Sequence, residues 1–368
     1  MEMNTIRRLF VCCTPFQIFN CIGYIINDDK KCECDIAICN HFINARKIFE
    51  NCKNSKLWRN CFFLRTEYNR SAYETLKIIN EINFEKMNDS NDNFSWDYDE
   101  IYIGTVNNIS SIICLKYCRK FKKRLYIFDE GVGSYLFNSM EKEFPKNQRL
   151  LRTLLGHVIY PKDIDMLLLC KPKLYSGSFK ATIDSLYKNE VRTSRFRAAI
   201  NNIFEYKNND YSEVIFFEQP DSIVSFAEKG KKNNELLNAI ISGIEEITMD
   251  YSIKWHPRTT DNIKNRYGTN AKRIKSSLGG WEVDLLNRDT NYRFIFVSVS
   301  SSASILSNIL FGDSDVVIFL YKLAELETNH LQIEGIDKLV RKLKDNGAKI
   351  YLPESIGEFS AVLKKLLE

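Results

Sequence analysis

Three short polar clusters carry the residue types that group-transfer chemistry uses. Asp129-Glu130-Gly131, His256-Pro257-Arg258 and the serines Ser300, Ser301, Ser302 and Ser304 each follow an apolar run. Adjacent carboxylates repel, which raises the pKa of one of them, and a carboxylate so tuned can take a proton from a hydroxyl near neutral pH. Gly131 and Gly133 let the chain turn sharply behind the acidic pair. Of four histidines (His41, His157, His256, His330), only His256 stands at a strand end beside a proline and a cation. An imidazole there can hydrogen-bond or protonate a leaving phosphate as charge develops. Hydroxyls and backbone N–H groups at the start of a helix near Ala303 make a phosphate site without glycine. A base in one half and phosphate contacts in the other suit transfer of a group from a nucleotide donor. The plainer alternatives are Asp129 as a helix N-cap with Glu130 solvated, His256 as a capping or core residue, and the serines as a loop.

The elements needed to position these clusters are legible as alternating short apolar runs and longer amphipathic stretches, the pattern of βα units on a parallel sheet. In the first half the runs 8–12, 35–39, 61–65, 100–104 and 124–128 read as strands, with helices at 15–26, 45–51, 71–82 and 109–120. Thr14 before Pro15 predicts an N-cap with proline at the first helical position. Residues 88–93 read as a loop, and 141–205 as a basic, irregular insertion of acceptor-side helices broken by Pro145, Pro161 and Pro172. A second series follows, with strands at 213–217, 252–255, 293–299, 316–320 and 349–352 and helices at 234–247, 302–311, 335–346 and 356–367. The layout predicts two doubly wound α/β domains, 1–205 and 206–368, facing each other across a cleft, with ligands beyond the carboxyl ends of the strands.

Length and composition agree with that reading. The chain has 368 residues, 44% hydrophobic and 27% charged, enough for two cores of ordinary globular kind. A net charge of +5 suits an anionic ligand without demanding nucleic acid. Only 15 glycines are present, and neither G-x-G-x-x-G nor G-x-x-x-x-G-K-[ST] occurs, which speaks against nicotinamide dehydrogenases and P-loop enzymes. All 11 cysteines fall between Cys12 and Cys170, an odd number that favours reduced thiols in a cytosol over a disulfide framework. Cys32 with Cys34, or Cys114 with Cys118, would be half a zinc site, and no second pair has matching spacing, so no metal is expected. Arg7 and Arg8 before the apolar stretch 9–26 imitate an export signal. Pro15, Gln17 and Asn20 interrupt that stretch, and a strand leading into a helix is the better reading. No run approaches the ~20 apolar residues that span a bilayer. The chain is thus expected to be soluble, or at most attached to a membrane surface.

An acidic pair with glycine after an early strand, a His-Pro after a later strand and a Ser-Ser beyond it, in this order, resemble the bacterial sialyltransferases of glycosyltransferase family 52. The opening Phe10-Val11-Cys12-Cys13-Thr14-Pro15-Phe16-Gln17 is similar to the family's first strand and Thr-Pro-x-Gln turn, and Ser301-Ser302-Ala303 to its serine motif. The resemblance spans residues 8 to about 310. It implies a GT-B fold and inverting, metal-independent transfer from CMP-sialic acid to a terminal sugar hydroxyl, commonly galactose, of a bacterial surface glycan, with no separate cofactor. By the family pattern Glu130 is the general base, supported or replaced by Asp129. His256 stabilises or protonates the leaving phosphate and Ser301 and Ser302 bind it, with Ser300, Pro257, Arg258, Gly131, Thr14 and Gln17 as further substrate contacts. Many relatives have Asp at the second acidic position, so the choice between Asp129 and Glu130 stays open. Family relatives also imply a homodimer, and the basic stretch 116–124 raises the expectation of peripheral contact with the cytoplasmic face of the inner membrane.

The same clusters would serve a UDP-hexose glycosyltransferase, a CDP-polyol phosphotransferase, or a sugar-nucleotide-binding scaffold without activity. Asp97-Tyr98-Asp99 and Asp313-Ser314-Asp315 read as solvated turns before strands rather than metal-binding motifs. The basic stretch 116–124 reads as a solvated helix end complementing the macrodipole, or as a membrane-facing patch.

Overall fold

A computed structural model describes residues 5–28, 32–66, 72–106, 108–137, 146–189, 191–218, 231–256, 271–274, 278–323 and 330–368. The chain divides into two compact units. Met1–Tyr206 with Ser277–Leu286 form one, and Lys207–Ser276 with Asn287–Glu368 the other.

The first unit is built on seven parallel strands: β1 (Ile6–Cys12), β2 (Cys32–Cys39), β3 (Cys61–Leu64), β4 (Glu100–Ile103), β5 (Arg124–Phe128), β6 (Met166–Leu169) and β7 (Ile183–Ser185). Their order is β3-β2-β1-β4-β5-β6-β7, so the direction of winding reverses between β1 and β4. Strands buried on both faces need continuous apolar runs, as in Phe62 and Leu64 of β3 or Ile101 and Ile103 of β4, all at most 1% exposed. Phe10, Tyr102 and Tyr126 stack across β1, β4 and β5, with centroids 4.5 and 4.6 Å apart, an aromatic ladder that favours this register. Arg8, buried beneath it, donates Nε to Glu100 at 2.7 Å and pairs with Asp28. The arginine that imitated a leader sequence is a core residue of β1.

The stretch 141–205 is not an insertion. Within it β6 pairs with β5 and β7 with β6, both parallel, extending the sheet by two strands. Four residues of Met-Leu-Leu-Leu and a three-residue strand are too short for periodicity to register against three nearby prolines. The segment Ser277–Leu286 also lacks a sequence signal. There Leu278 N donates to Phe204 O (3.1 Å) and Arg192 Nη2 to Leu285 O (3.0 Å), which ties it to the first unit.

The second unit has six parallel strands: β8 (Val214–Phe217), β9 (Tyr251–Lys254), β10 (Lys272–Arg273), β11 (Ile295–Ser298), β12 (Val316–Phe319) and β13 (Lys349–Tyr351). Their order is β10-β9-β8-β11-β12-β13, with the reversal between β8 and β11. Its core joins Phe216, Ile253, Val297 and Ile318 of the sheet to Ile240 and Ile244 of the helix Lys231–Glu245 and Phe359 of the helix Ile356–Leu367.

One expectation about charged residues needs correction. Asp313 and Asp315 are not solvated: Arg288 donates Nη2 to Asp313 (2.6 Å) and Nη1 to Asp315 (2.8 Å), all three side chains being at most 9% exposed. A buried cation between two carboxylates avoids the cost of leaving any of the three uncompensated. The basic stretch does close a helix, Ile109–Phe121, with Arg119 and Lys120 in its last turn and Lys120 and Lys122 exposed, and three of its cations also bond within the unit. Arg119 bonds Asp163, Gly156 O and Val158 O, Lys123 bonds Asp99, and Arg124 pairs with Glu100.

Candidate functional site

Where the winding of a parallel sheet reverses, the loops leaving the two neighbouring strands diverge and open a crevice at the carboxyl edge. In the first unit the loops after β1 and β4 flank that position, and the loop after β5 lies next to it. Thr14, after β1, caps the helix Pro15–Ile26 by accepting from Gln17 N at 3.2 Å. The cap aims the Gln17 side chain back across the sheet edge. Its Oε1 accepts from Cys13 N (2.6 Å), and its Nε2 donates to Thr105 Oγ1 (2.8 Å) and Glu130 Oε2 (3.2 Å). Thr105 Oγ1 also donates to Glu130 Oε2 at 3.0 Å. Gly104 makes room: a Cβ there would lie 2.4 Å from Gln17 Cδ. Gln17 is fully buried, whereas Glu130 is exposed. One carboxylate is therefore oriented by donors from the first helix and from the loop after β4 and presented to solvent.

Asp129 has the opposite environment. It is 0% exposed and accepts from Gly131 N (2.8 Å), Tyr135 OH (2.6 Å) and Cys170 N (3.0 Å). Burial raises its pKa, partly offset by those donors, so the elevated carboxyl owes its shift to desolvation and not to repulsion from its neighbour. Gly131 adopts φ +112°, a backbone that side chains disfavour, and this turn sends Asp129 inward and Glu130 outward. Ser134 Oγ completes it as the acceptor of Glu130 N at 2.8 Å. Asn20 holds the Asp129 carbonyl (2.7 Å) and is itself bonded by Tyr187 OH (2.5 Å).

In the second unit, Glu218 after β8 is 4% exposed, and its Oε2 accepts from His256 N at 3.1 Å. Glu218 N in turn donates to Lys254 O (3.0 Å), so the end of β8 clamps the end of β9. His256 itself is half-buried, while Pro257 and Arg258 lie outside the described residues. After β11, Ser302 is exposed and Ser300 and Ser301 half-buried. Ser304 is fully buried, bonding Ser301 O at 2.7 Å with Ser298 Oγ 3.1 Å away, so it braces the loop. The expected helix is a 3-10 turn, Ser302–Ile305, followed by a five-residue helix, Leu306–Leu310. Any anion contact at this loop therefore rests on hydroxyls and local N–H groups, without a long helix dipole behind them.

No protein-family model matches the chain, and no curated protein matches it in sequence. Solved structures do. Arabidopsis thaliana UGT89C1 complexed with UDP-L-rhamnose superposes with a TM-score of 0.53 at 9% identity, covering 99% of this chain and 90% of its own. A Listeria monocytogenes protein assigned as a UDP-N-acetylglucosamine 2-epimerase gives 0.50 at 12% identity, covering 98% and 95%. The fold is GT-B.

GT-B topology accounts for the two Rossmann-like sheets and for the carboxyl-edge positions of Glu130, His256 and the serines. Thr14, Gln17, Asp129, Glu130 and Gly131 come together in the first unit, around the reversal between β1 and β4. In the second unit, His256 follows β9 and Ser300, Ser301 and Ser302 follow β11, the strands on either side of β8. Thr105 and Glu218 were missed. A lone threonine or glutamate after a strand has no local signature, and strand order, which only the structure supplies, is what singles them out.

Proposed function

We propose that the protein is an inverting glycosyltransferase that moves sialic acid from CMP-sialic acid to a sugar hydroxyl. The observation that carries this reading is the exposed Glu130 carboxylate, held by Gln17 and Thr105 at the reversal point of the first sheet. In the reaction the acceptor oxygen bonds to the anomeric carbon of the donor as the bond from that carbon to the phosphate oxygen breaks, its electron pair leaving with CMP. Glu130 takes the acceptor proton, and Asp129 is a positioning residue that shapes the turn beneath it. His256 and the Ser300–Ser302 hydroxyls bind the departing phosphate as its charge grows. The donor already carries a good leaving group, so base, phosphate contacts and positioning suffice, and the reading assigns no cofactor beyond the donor. The identity of the donor rests on the resemblance of the three motifs to family 52. A UDP-sugar is the second reading, favoured by UGT89C1 complexed with UDP-L-rhamnose.

The test is a donor screen on the purified protein, measuring nucleotide release with and without lactose. CMP release from CMP-sialic acid, accelerated by the acceptor, is expected. Release of UDP from UDP-hexoses alone would transfer the assignment to the second reading, and release from neither would overturn both.

A further inference from the structure

The amino edge of the first sheet, opposite to the edge that carries Glu130, holds a cavity of about 310 Å³. Trp96 and Asp97 reach it from the chain entering β4, Lys120, Phe121 and Lys123 from the chain entering β5, and Ile82 from the end of the helix Ala72–Glu81. Its wall is aromatic and fixed. Trp96 stacks on the buried Tyr117, with ring centroids 4.2 Å apart and planes at 17°, and Phe121 leans on Tyr117 at 5.0 Å. Phe84 and Phe94 pack around the indole at 4.9 Å each, and its Nε1 donates to Ile82 O at 2.7 Å. Ile82 presents that carbonyl from a left-handed backbone, φ +52°, which a β-branched side chain disfavours. Strain of this kind persists where the surroundings hold it, and it clusters at ligand sites. Phe121 nevertheless keeps 49% of its surface exposed.

The rim decides what fits. Two carboxylates, Glu81 and Asp97, and two ammonium groups, Lys120 and Lys123, border the cavity, so its formal charge cancels. Asp97 is paired with Arg7, Glu81 with Lys86 (2.7 Å) and Lys123 with Asp99 (3.0 Å). Such groups still exchange hydrogen bonds with hydroxyls, but they leave no net field to select an anion or a cation. We propose that the cavity binds a neutral sugar ring, at a site separate from the transfer edge, with the C–H face of the ring against Phe121 and Trp96 and its hydroxyls at Glu81, Asp97 and Lys120. The electron-rich face of an aromatic ring attracts the weakly positive C–H groups of a pyranose. A volume at the lower end for small-ligand sites suits one ring. A nucleobase would also stack, but the phosphates of a nucleotide would find no surplus of cations here. The inference rests on this cavity and not on the transfer reaction proposed above.

The indole N–H resonances of the isotope-labelled full chain test it during titration with maltose and with lactose, the Trp96 signal being the one that Trp96→Phe removes. At least one of these neutral disaccharides is expected to shift that signal, with a Kd on the order of 1–10 mM for one open cavity. Phe121→Ala is expected to weaken binding at least about tenfold, and Lys120→Met about threefold. Thermal unfolding of both variants should stay close to wild type, since both side chains are exposed. Glu130→Gln should leave the shift unaltered, because that residue lies at the opposite edge. No shift with either sugar, or a Phe121→Ala variant that binds like wild type, would overturn the proposal. So would a stronger response of the Trp96 signal to CMP or N-acetylneuraminate than to either neutral sugar, or a shift that Glu130→Gln abolishes. Nucleotide release in the donor screen reads the other edge, so either result can fail while the other stands.

Discussion

Gln17 and Glu130 stand 113 positions apart in the chain and meet through a 3.2 Å hydrogen bond from Nε2 to Oε2. The bond joins the first helix to the loop after β5 across the end of β4, and Thr105 supplies a second donor to the same oxygen. These two donors are a neutral amide and a neutral hydroxyl, and together they orient the carboxylate. A carboxylate fixed in direction yet open to solvent is suited to receiving a proton from a bound hydroxyl.

The two acidic neighbours should therefore respond differently to the same change. Glu130→Gln is expected to lower kcat about 10²–10⁴-fold with little effect on unfolding. Asp129→Asn replaces two accepting oxygens by one, facing Gly131 N on one side and Tyr135 OH with Cys170 N on the other, and should cost roughly 1–3 kcal/mol of stability. Urea unfolding and steady-state turnover of both variants check this. A stable, inactive Asp129→Asn beside an active Glu130→Gln would exchange the roles.

Gly104 tests whether the Gln17 contact matters to function. A methyl group there would meet Cδ, Cγ and Nε2 of Gln17 within 2.6 Å, so Gly104→Ala must displace the side chain that orients Glu130. Misplacing a reacting group by about 1 Å can cost up to ~10²-fold in rate, so a kcat loss of at least about tenfold at nearly constant KM is expected. Restoring turnover with Gln17→Ala in the Gly104→Ala background would show instead that the displaced Gln17 side chain blocks the site. A rise in KM alone would place Gln17 in substrate binding.

Most of the strands were legible because apolar runs bounded by polar turns state their own limits, as in 124–128, which β5 matches residue for residue. The first helix and its Thr14 cap were legible for the same reason, since the Thr-Pro signal is local. What escaped was set by distance in the chain. β6 and β7 are short strands that gain their identity from pairing, β6 with β5 and the edge strand β7 with β6. Burial of Asp313 and Asp315 depends on Arg288, a partner 25 or more positions away. Within the site, the acidic pair could be found but not apportioned, because the turn at Gly131 decides which carboxylate faces inward.

Acid should destabilise the first unit through His157. Burial, with repulsion from Lys116 and Arg152, holds this imidazole down to about 4, against ~6.5 for a free one. The folded chain thus takes up the proton only near pH 4, while the unfolded chain takes it up near 6.5. Stability is then fully present above that upper value and is lost as pH falls through the window toward 4. Discounted for partial solvent access, the loss between pH 7 and pH 5 is about 1 kcal/mol. His157→Gln should shrink that difference in urea melts at the two pH values. An undiminished difference in the variant would assign the acid response to another group.

Cys32 should be the fast-reacting thiol among the eleven cysteines. Its Sγ lies 3.6 Å from Cys34 Sγ and 3.3 Å from Arg8 Nη1, and the Cys34 hydrogen bond, helped by the Arg8 charge, pulls it down to about 7. Burial pushes Cys12, Cys52, Cys114 and Cys170 the other way. Cys39 is lowered by Cys13 but is 0% exposed, so reagent cannot reach it. Since the thiolate is the nucleophile, Cys32 combines the required charge with access. Iodoacetamide at neutral pH should add one rapid equivalent, mapped to Cys32 by peptide mass spectrometry and abolished by Cys32→Ser but not by Cys170→Ser. Rapid labelling that persists in Cys32→Ser would refute the assignment and direct attention to the half-buried Cys170.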